Sequence, residues 1–423
     1  MGSAPKGTIG EENKSSSMKS RPLLLLSSLP SLSIPPIPSI LCMVKTNPHD
    51  HFHYLRELDE LELLCRTAGY DVRKRLIQVR YKEAVDRVFG KGKVEELKKL
   101  VDEGGLKAAI FYNTLSGKQK YNLESYLGIK VIDRYDLTLE IFEKNSVDRL
   151  SKLQIRWARL AKAIPFEKLR TSMKFRVGRE HPSYGSLGEY AYKGTLKSLN
   201  LQLRRIKAEI ERQAAIRLKQ LEARRSLGFP IISIAGYHSA GKTSLFNALT
   251  GLKRPVGSRP FTTLSSKFSL TSPSKNGGFF LVDTIGFVHD LDPKLIEAFR
   301  VTLNDIVASD LILLVVDISD PEEVLKLRLE TCLEILKALG VDRERLILVL
   351  NKVDCLKDGE ALVKLKVLGE DAKSLPAVLT STRRQETLQG LVEVIEARLR
   401  ALKDRVPRPE AKESMEGALI LKS

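Results

Sequence analysis

From Tyr54 to about Asn145 the chain alternates short apolar runs with amphipathic stretches: Leu76 to Val79, Val85 to Leu100, Ala108 to Phe111, Lys118 to Leu127, then Val131 and Ile132. Strands separated by helices of this length predict a small parallel α/β domain over residues 46–145. Over residues 146–228 the period changes. Val147, Leu150, Leu153, Trp157, Leu160 and Ile164 recur at helical steps, as do Leu196, Leu199, Leu203, Ile206 and Ile210, before the seam shifts to Ala214, Leu218 and Leu221. Two such helices predict an antiparallel hairpin with the leucines facing each other and the Lys and Arg residues solvated. The joining stretch, residues 165–194, holds Gly178, Gly185, Gly188 and Gly194 among basic and aromatic residues. Its length exceeds the usual connection, which points to a functional or mobile loop. From residue 229 to 403 apolar strand-like runs return, each leading into a polar loop, and residues 404–423 read as a tail. The fold class is α/β multidomain.

Residues 1–45 are assigned to a disordered Ser/Pro-rich extension or a mis-assigned start, with Met43 as an alternative first residue. The apolar part, residues 22–44, is interrupted by Pro22, Pro30, Pro35, Pro36 and Pro38, which rules against a transmembrane helix. A secretory signal has Lys19 and Arg21 ahead of Leu23 to Leu26 in its favour, but no clear small-residue cleavage site. With 423 residues and 43% apolar content the chain is long enough for two to four domains with cores of their own. Its formal net charge of +18 favours a polyanionic partner. Residues 151–228 alone carry 19 basic against 6 acidic side chains, a net +13. The plain alternatives for this segment are a solvated face and ordinary internal leucine packing. The four cysteines, Cys42, Cys65, Cys332 and Cys355, form no C-x-x-C pair, so a reducing compartment and no structural zinc are expected.

The chemistry concentrates after Pro230 to Ala235. Gly236, Tyr237, His238, Ser239, Ala240, Gly241, Lys242 and Thr243 make G-x-x-x-x-G-K-[ST] between a strand and the helical Ser244 to Leu249. Glycines let backbone N–H groups converge on phosphates, Lys242 neutralises their oxygens, and the Thr243 hydroxyl can ligate Mg²⁺. Next, Phe279 to Val282 ends in Asp283, followed by Thr284, Ile285 and Gly286. A carboxylate at that strand end can hold a Mg²⁺ water, and the glycine lets an N–H meet the γ-phosphate. Finally, Leu346 to Leu350 leads into Asn351, Lys352, Val353 and Asp354. A carboxylate at 354 accepts from guanine N1–H and its amino group but meets an acceptor at adenine N1, so guanine is the predicted base.

These loops, in this order after apolar strands, resemble the P-loop GTPase family. The resemblance implies GTP or GDP as ligand with Mg²⁺. It makes Thr263, in Phe261-Thr262-Thr263-Leu264, a switch threonine that joins Mg²⁺, with Thr262 as the competing candidate. Ser381, Thr382 and Arg383 after Ala377 to Thr380 look like a last guanine-contacting loop. Lys242, Thr263 and Gly286 are the expected catalytic set, and Thr243, Thr263 and Asp283 the magnesium set. More narrowly, Gly236-Tyr237, the run Asp283 to Phe287 and the preceding basic hairpin are similar to HflX proteins. So are Ala68-Gly69, Gly90-Lys91-Gly92-Lys93-Val94, Leu115, Gln119, Asn122-Leu123-Glu124 and Val131-Ile132-Asp133-Arg134.

That resemblance implies an N-terminal HflX-like domain, a helical hairpin and a G domain. It further implies a cytoplasmic, monomeric GTPase that binds the 50S ribosomal subunit and its rRNA near the peptidyl-transferase region, in splitting, rescue or biogenesis. The competing class is a non-ribosomal RNA-associated GTPase, a tRNA-modification or assembly factor. The family commonly has Asn at Ser239, tied in related GTPases to potassium-assisted hydrolysis, so the resemblance does not carry potassium activation over. His238 replaces a small polar residue and reads as a surface loop residue, with catalysis as the rival reading. Phe287 stands where many GTPases place a water-orienting Gln, so slow intrinsic hydrolysis is expected until a partner supplies the group. Gly90 to Lys93 reads as a turn before a helix, with a second nucleotide site as the rival.

Overall fold

The computed structural model describes residues 35–49, 53–177, 187–254, 257, 261, 266–271, 278–289, 292–357, 359–369, 372 and 374–405, with backbone alone for 171–177, 187–192 and 403–405. The first sheet contains β1 (Ile37–Lys45), β2 (Tyr70–Val79), β3 (Ala108–Phe111) and β4 (Lys130–Asp133) in the order β2-β1-β3-β4, all parallel. Its helices are α1 (His53–Ala68), α2 (Lys91–Gly104), α3 (Gly117–Leu127) and α4 (Arg134–Asn145). Alternation along β1 sends Ile40, Cys42 and Val44 into the core under α2 and α3, and Leu41 and Met43 into the core under α1 and α4. The turn into α3 is fixed by a capping box, Ser116 and Gln119 satisfying each other's backbone N–H groups.

Two expectations are corrected. Residues 37–45 are not extension but a central strand of the sheet, and a chain beginning at Met43 would lose most of it. A parallel strand covered on both faces is a continuous apolar run, and Ile40 to Val44 has no alternation to mark it beside the prolines before it. The hairpin helices are also longer than their leucine seams. Helix α5 (Arg149–Val177) continues through Pro165, and α6 (Leu187–Ser226) begins before Gly194, so much of the stretch expected to be a loop is helical. They meet through Leu150, Leu153, Trp157 and Leu160 against Ile206 and Ile210.

The second sheet comprises β5 (Ile231–Gly236), β6 (Lys267–Leu270), β7 (Phe280–Asp283), β8 (Leu311–Asp317), β9 (Leu346–Asn351) and β10 (Ala377–Leu379). The order is β10-β9-β8-β5-β7-β6, with only β6 antiparallel. Around it lie α7 (Lys242–Thr250), α8 (Pro293–Ala298), α9 (Arg300–Val307), α10 (Glu322–Ala338), α11 (Glu360–Val367) and α12 (Gln385–Arg405). Buried apolar side chains of α1 and α4 run without a break into those of the second sheet's loops, through Tyr237, Phe261, Phe287 and Phe299. No helix among the described residues is long and apolar enough to cross a membrane.

Candidate nucleotide-binding site

The carboxyl ends of β5, β7 and β9 bring the three sequence loops together, the usual place for a ligand in an open parallel sheet. Gly236 has φ of 145°, and a Cβ there would lie 2.1 Å from the Val315 carbonyl oxygen. Gly241, at φ of 93°, opens α7, and a Cβ there would meet the Asn351 amide at 2.3 Å. Both positions therefore require glycine. Lys242 is buried, with Nζ donating to the Gly236 oxygen at 3.1 Å and the Tyr237 oxygen at 2.7 Å. Burial pushes its ammonium down to about 8, partly offset by Asp283. An anion brought to this end of α7 would meet that ammonium and the helix N-terminal N–H groups.

Thr243 Oγ1 donates to Asp283 Oδ2 at 3.1 Å. One hydroxyl and one carboxylate that is 1% exposed are hard oxygen donors suited to Mg²⁺. Thr284 is tied by its hydroxyl to the Ile234 oxygen at 2.6 Å, and Ile285 is core. Gly286 lies against the loop, where a Cβ would sit 3.0 Å from Lys242 Nζ and 3.2 Å from His238 Cα. Phe287 bridges to Tyr237, accepts from the His238 N–H at 2.8 Å and is 1% exposed. Its ring is a packing element.

The third loop clamps the first. Asn351 Nδ2 donates to the Ala240 oxygen at 2.9 Å. Lys352 Nζ donates to the Ser239 oxygen at 2.9 Å and pairs with Asp317 at 2.5 Å. The Val353 N–H reaches Thr380, and Ser381 donates its hydroxyl to Asp354 Oδ1 at 2.7 Å. Arg383 NH1 stands 3.2 Å from Asp354 Oδ2, while Thr382 sits in the same turn. The Ser381 hydrogen bond, helped by the Arg383 charge, holds the Asp354 carboxyl below its ordinary range. Asp354 is thus an ionised acceptor beside the loop, the group a guanine edge needs. Thr262 and Thr263 lie outside the described residues. Phe261 is described, buried at φ of 59°.

His238 is not a surface residue: it is 4% exposed. Sequence reasoning also missed what the N-terminal domain brings here. Glu60 of α1 accepts from Tyr237 Oη at 2.6 Å, and that oxygen accepts from the His289 N–H at 2.8 Å. Arg134 of α4 bonds both Glu60 and the His289 carbonyl oxygen. Asn145 Nδ2 donates to the Phe261 oxygen at 2.8 Å, and the Phe142 ring meets the Phe261 and Phe299 rings edge-on at 4.7 Å each. Nothing local in the sequence pairs residues this far apart. The only available signal was Arg134 ending a strand motif.

Residues 56–143 match a family model described as the N-terminal part of GTP-binding GTPases, and residues 231–352 one described as a 50S ribosome-binding GTPase. A GTP-binding protein from Sulfolobus solfataricus solved with GDP is 26% identical, covering 86% of this chain and 99% of that one at a TM-score of 0.43. The GTPase HflX of Thermococcus kodakarensis is 34% identical over 79% of this chain and 76% of its own. That of Thermofilum pendens is 36% identical over 81% of each. With identity of this extent running through both domains, the chain belongs to the HflX family and is a GTPase that binds and hydrolyses GTP.

Proposed function

We propose that this GTPase works on the large (50S) ribosomal subunit, in splitting, rescue or biogenesis, and grips ribosomal RNA with its hairpin. The observation that carries the reading is the exposed row Arg204, Arg205, Lys207, Arg212 and Lys219 on α6. From the same helix Arg217 and Arg225 are spent inside, on Asp305 and the Ala308 oxygen. Outward cations at this density neutralise phosphates and release counterions. The description of the family model matched by residues 231–352 agrees with a ribosomal partner.

In this reading the N–H groups of Ser239 and of Gly241 to Thr243, together with the Lys242 ammonium, cradle the phosphates, and the Gly286 N–H meets the terminal one. Thr243, Asp283 through a water, and Thr263 or Thr262 would hold Mg²⁺, which would neutralise phosphate charge when bound. Asp354 accepts from the guanine edge, with Ser381, Thr382 and Arg383 beside it and Asn351, Lys352 and Val353 holding the loops together. The N-terminal domain touches Tyr237, Phe261 and His289, so ribosome contacts there have a direct route to the nucleotide loops.

Sedimentation with purified 50S subunits tests the proposal. Co-sedimentation with a non-hydrolysable GTP analogue and weaker association with GDP is expected. Absence of the protein from the 50S pellet in both nucleotide states overturns it, and preference for isolated structured RNA would favour the assembly-factor class.

A further inference from the structure

His238 occupies the third position of the phosphate loop, between Tyr237 and Ser239, with its imidazole buried. Its Nδ1 lies 3.3 Å from Ser239 Oγ, and its Nε2 is buried with no hydrogen-bond partner among the described residues. A buried ring nitrogen left unpaired costs stability unless a ligand pairs with it. Around it the field is positive: burial first, then Arg328, Lys242 and Arg134, push its pKa down to about 3, so the ring is neutral. A point one Cβ out from Gly286 is 3.0 Å from Lys242 Nζ and 3.5 Å from His238 Cβ. The Cβ of His238 therefore lies beside the two groups that face the terminal phosphate of GTP, and its ring lies 4.6 Å from that of Tyr237. Through its N–H His238 is also bonded to Phe287, the residue that stands in place of a water-orienting Gln.

We propose that His238 is a further catalytic residue, its Nε2–H donating to the γ-phosphoryl group of GTP as that group passes to water. The inference rests on the phosphate-loop reading of residues 236–243. With the Ser239 hydroxyl donating to Nδ1, the neutral ring carries its proton on Nε2, which makes that nitrogen a donor. In the reaction the water oxygen bonds to the γ-phosphorus while the bridging P–O bond breaks. Its electron pair stays on the β-phosphate of GDP, and the water's proton passes to the inorganic phosphate formed or to solvent. The imidazole neither gains nor loses a proton. It supplies a fixed dipole where charge spreads over the transferring oxygens, in a site whose usual side-chain helper is an apolar ring.

The test compares His238→Ala, His238→Gln and His238→Asn in the full chain, reading single-turnover GTP hydrolysis beside the affinity for GDP, which lacks the γ-phosphate. Gln presents an amide N–H near the Nε2 position, whereas Asn matches Nδ1. Expected is a fall in hydrolysis of about 10²-fold for Ala and Asn, retention within about tenfold for Gln, and GDP affinity within about twofold of wild type throughout. Wild-type hydrolysis by the Ala variant overturns the proposal, as does a Gln variant no better than Asn. A parallel loss of GDP affinity in all three would make His238 a packing residue and overturn it too. Failure of the wild-type protein to bind GDP would instead defeat the phosphate-loop reading. If Ala does not fold, the Gln and Asn pair decides.

Discussion

Tyr237 of the phosphate loop donates its hydroxyl to Glu60 of the N-terminal domain at 2.6 Å, and the same oxygen receives the His289 N–H. One phenol thus joins the nucleotide loop, the segment after Gly286 and helix α1. Tyr237 is 3% exposed and Arg328 lies over its ring, so the bond is made away from bulk water. Tyr237→Phe keeps the ring and removes the oxygen, leaving the Glu60 carboxylate and the His289 N–H each a partner short. A loss of ~1–3 kcal/mol in unfolding free energy is expected from denaturant titration. An unchanged midpoint and slope would show that the phenol does not join the domains in solution.

His289 gives this junction a pH dependence. Its Nε2 is 3.7 Å from Glu57, and that partner, aided by Glu60 and opposed by burial and Arg134, raises its pKa above the ordinary histidine value. A raised folded-state pKa stabilises fully below the unfolded value of about 6.5 and is lost as pH climbs through the folded value. The wild-type protein should therefore lose more stability between pH 6 and pH 8 than Glu57→Gln, which removes the charge that holds the proton. Identical pH profiles for the two would separate His289 from Glu57.

Asp354→Asn should exchange base preference. The amide keeps one acceptor and sets a donor against a guanine donor, at ~1.5–3 kcal/mol for a lost charge-assisted bond. GTP affinity should fall by about tenfold or more while xanthosine triphosphate gains. Competition titration reads both. Undiminished GTP binding would remove Asp354 as the base reader.

Lys242→Ala should weaken GTP by at least about thirtyfold, the equivalent of ~2 kcal/mol for one charge-assisted hydrogen bond. The loop itself should persist. Gly236 still receives the Phe287 N–H and Tyr237 the Ala240 N–H when the ammonium is gone. Equal affinity in an equilibrium titration would defeat the phosphate-loop assignment.

What is legible in the sequence is local. Strand, glycine loop and helix around Gly241 are contiguous, and each loop motif carries its own chemistry, so the parts of the site can be read one by one. The clamp between Asn351 and Ala240 and the bond from Lys352 to Ser239 cannot, because they depend on β8 lying between β5 and β9. Strand β1 hides for the opposite reason: burial on both faces erases period two. His238 looks like a surface residue because loop residues are usually exposed, whereas this loop is roofed by Arg328 and by the N-terminal domain.

The hairpin offers two kinds of arginine on one helix, and they should fail differently. Arg204, Arg205, Lys207, Arg212 and Lys219 are exposed, whereas Arg217 donates twice to Asp305, a carboxylate that is 1% exposed. Burial raises the Asp305 pKa and the Arg217 charge opposes the rise, so the carboxylate depends on that partner. Replacing several of the exposed five with Gln should weaken 50S binding and flatten its salt dependence by about 0.7–0.9 in log–log slope for each phosphate no longer neutralised. Folding stability and intrinsic GTP hydrolysis should hardly change. Arg217→Gln should instead cost ~3–5 kcal/mol of stability by stranding a buried carboxylate, while the salt slope of whatever binding remains stays at the wild-type value. Equilibrium binding at several salt concentrations, beside denaturant unfolding, separates the two. If the five substitutions leave affinity and slope untouched, the charges merely solvate a helical spacer and the hairpin is not the RNA grip.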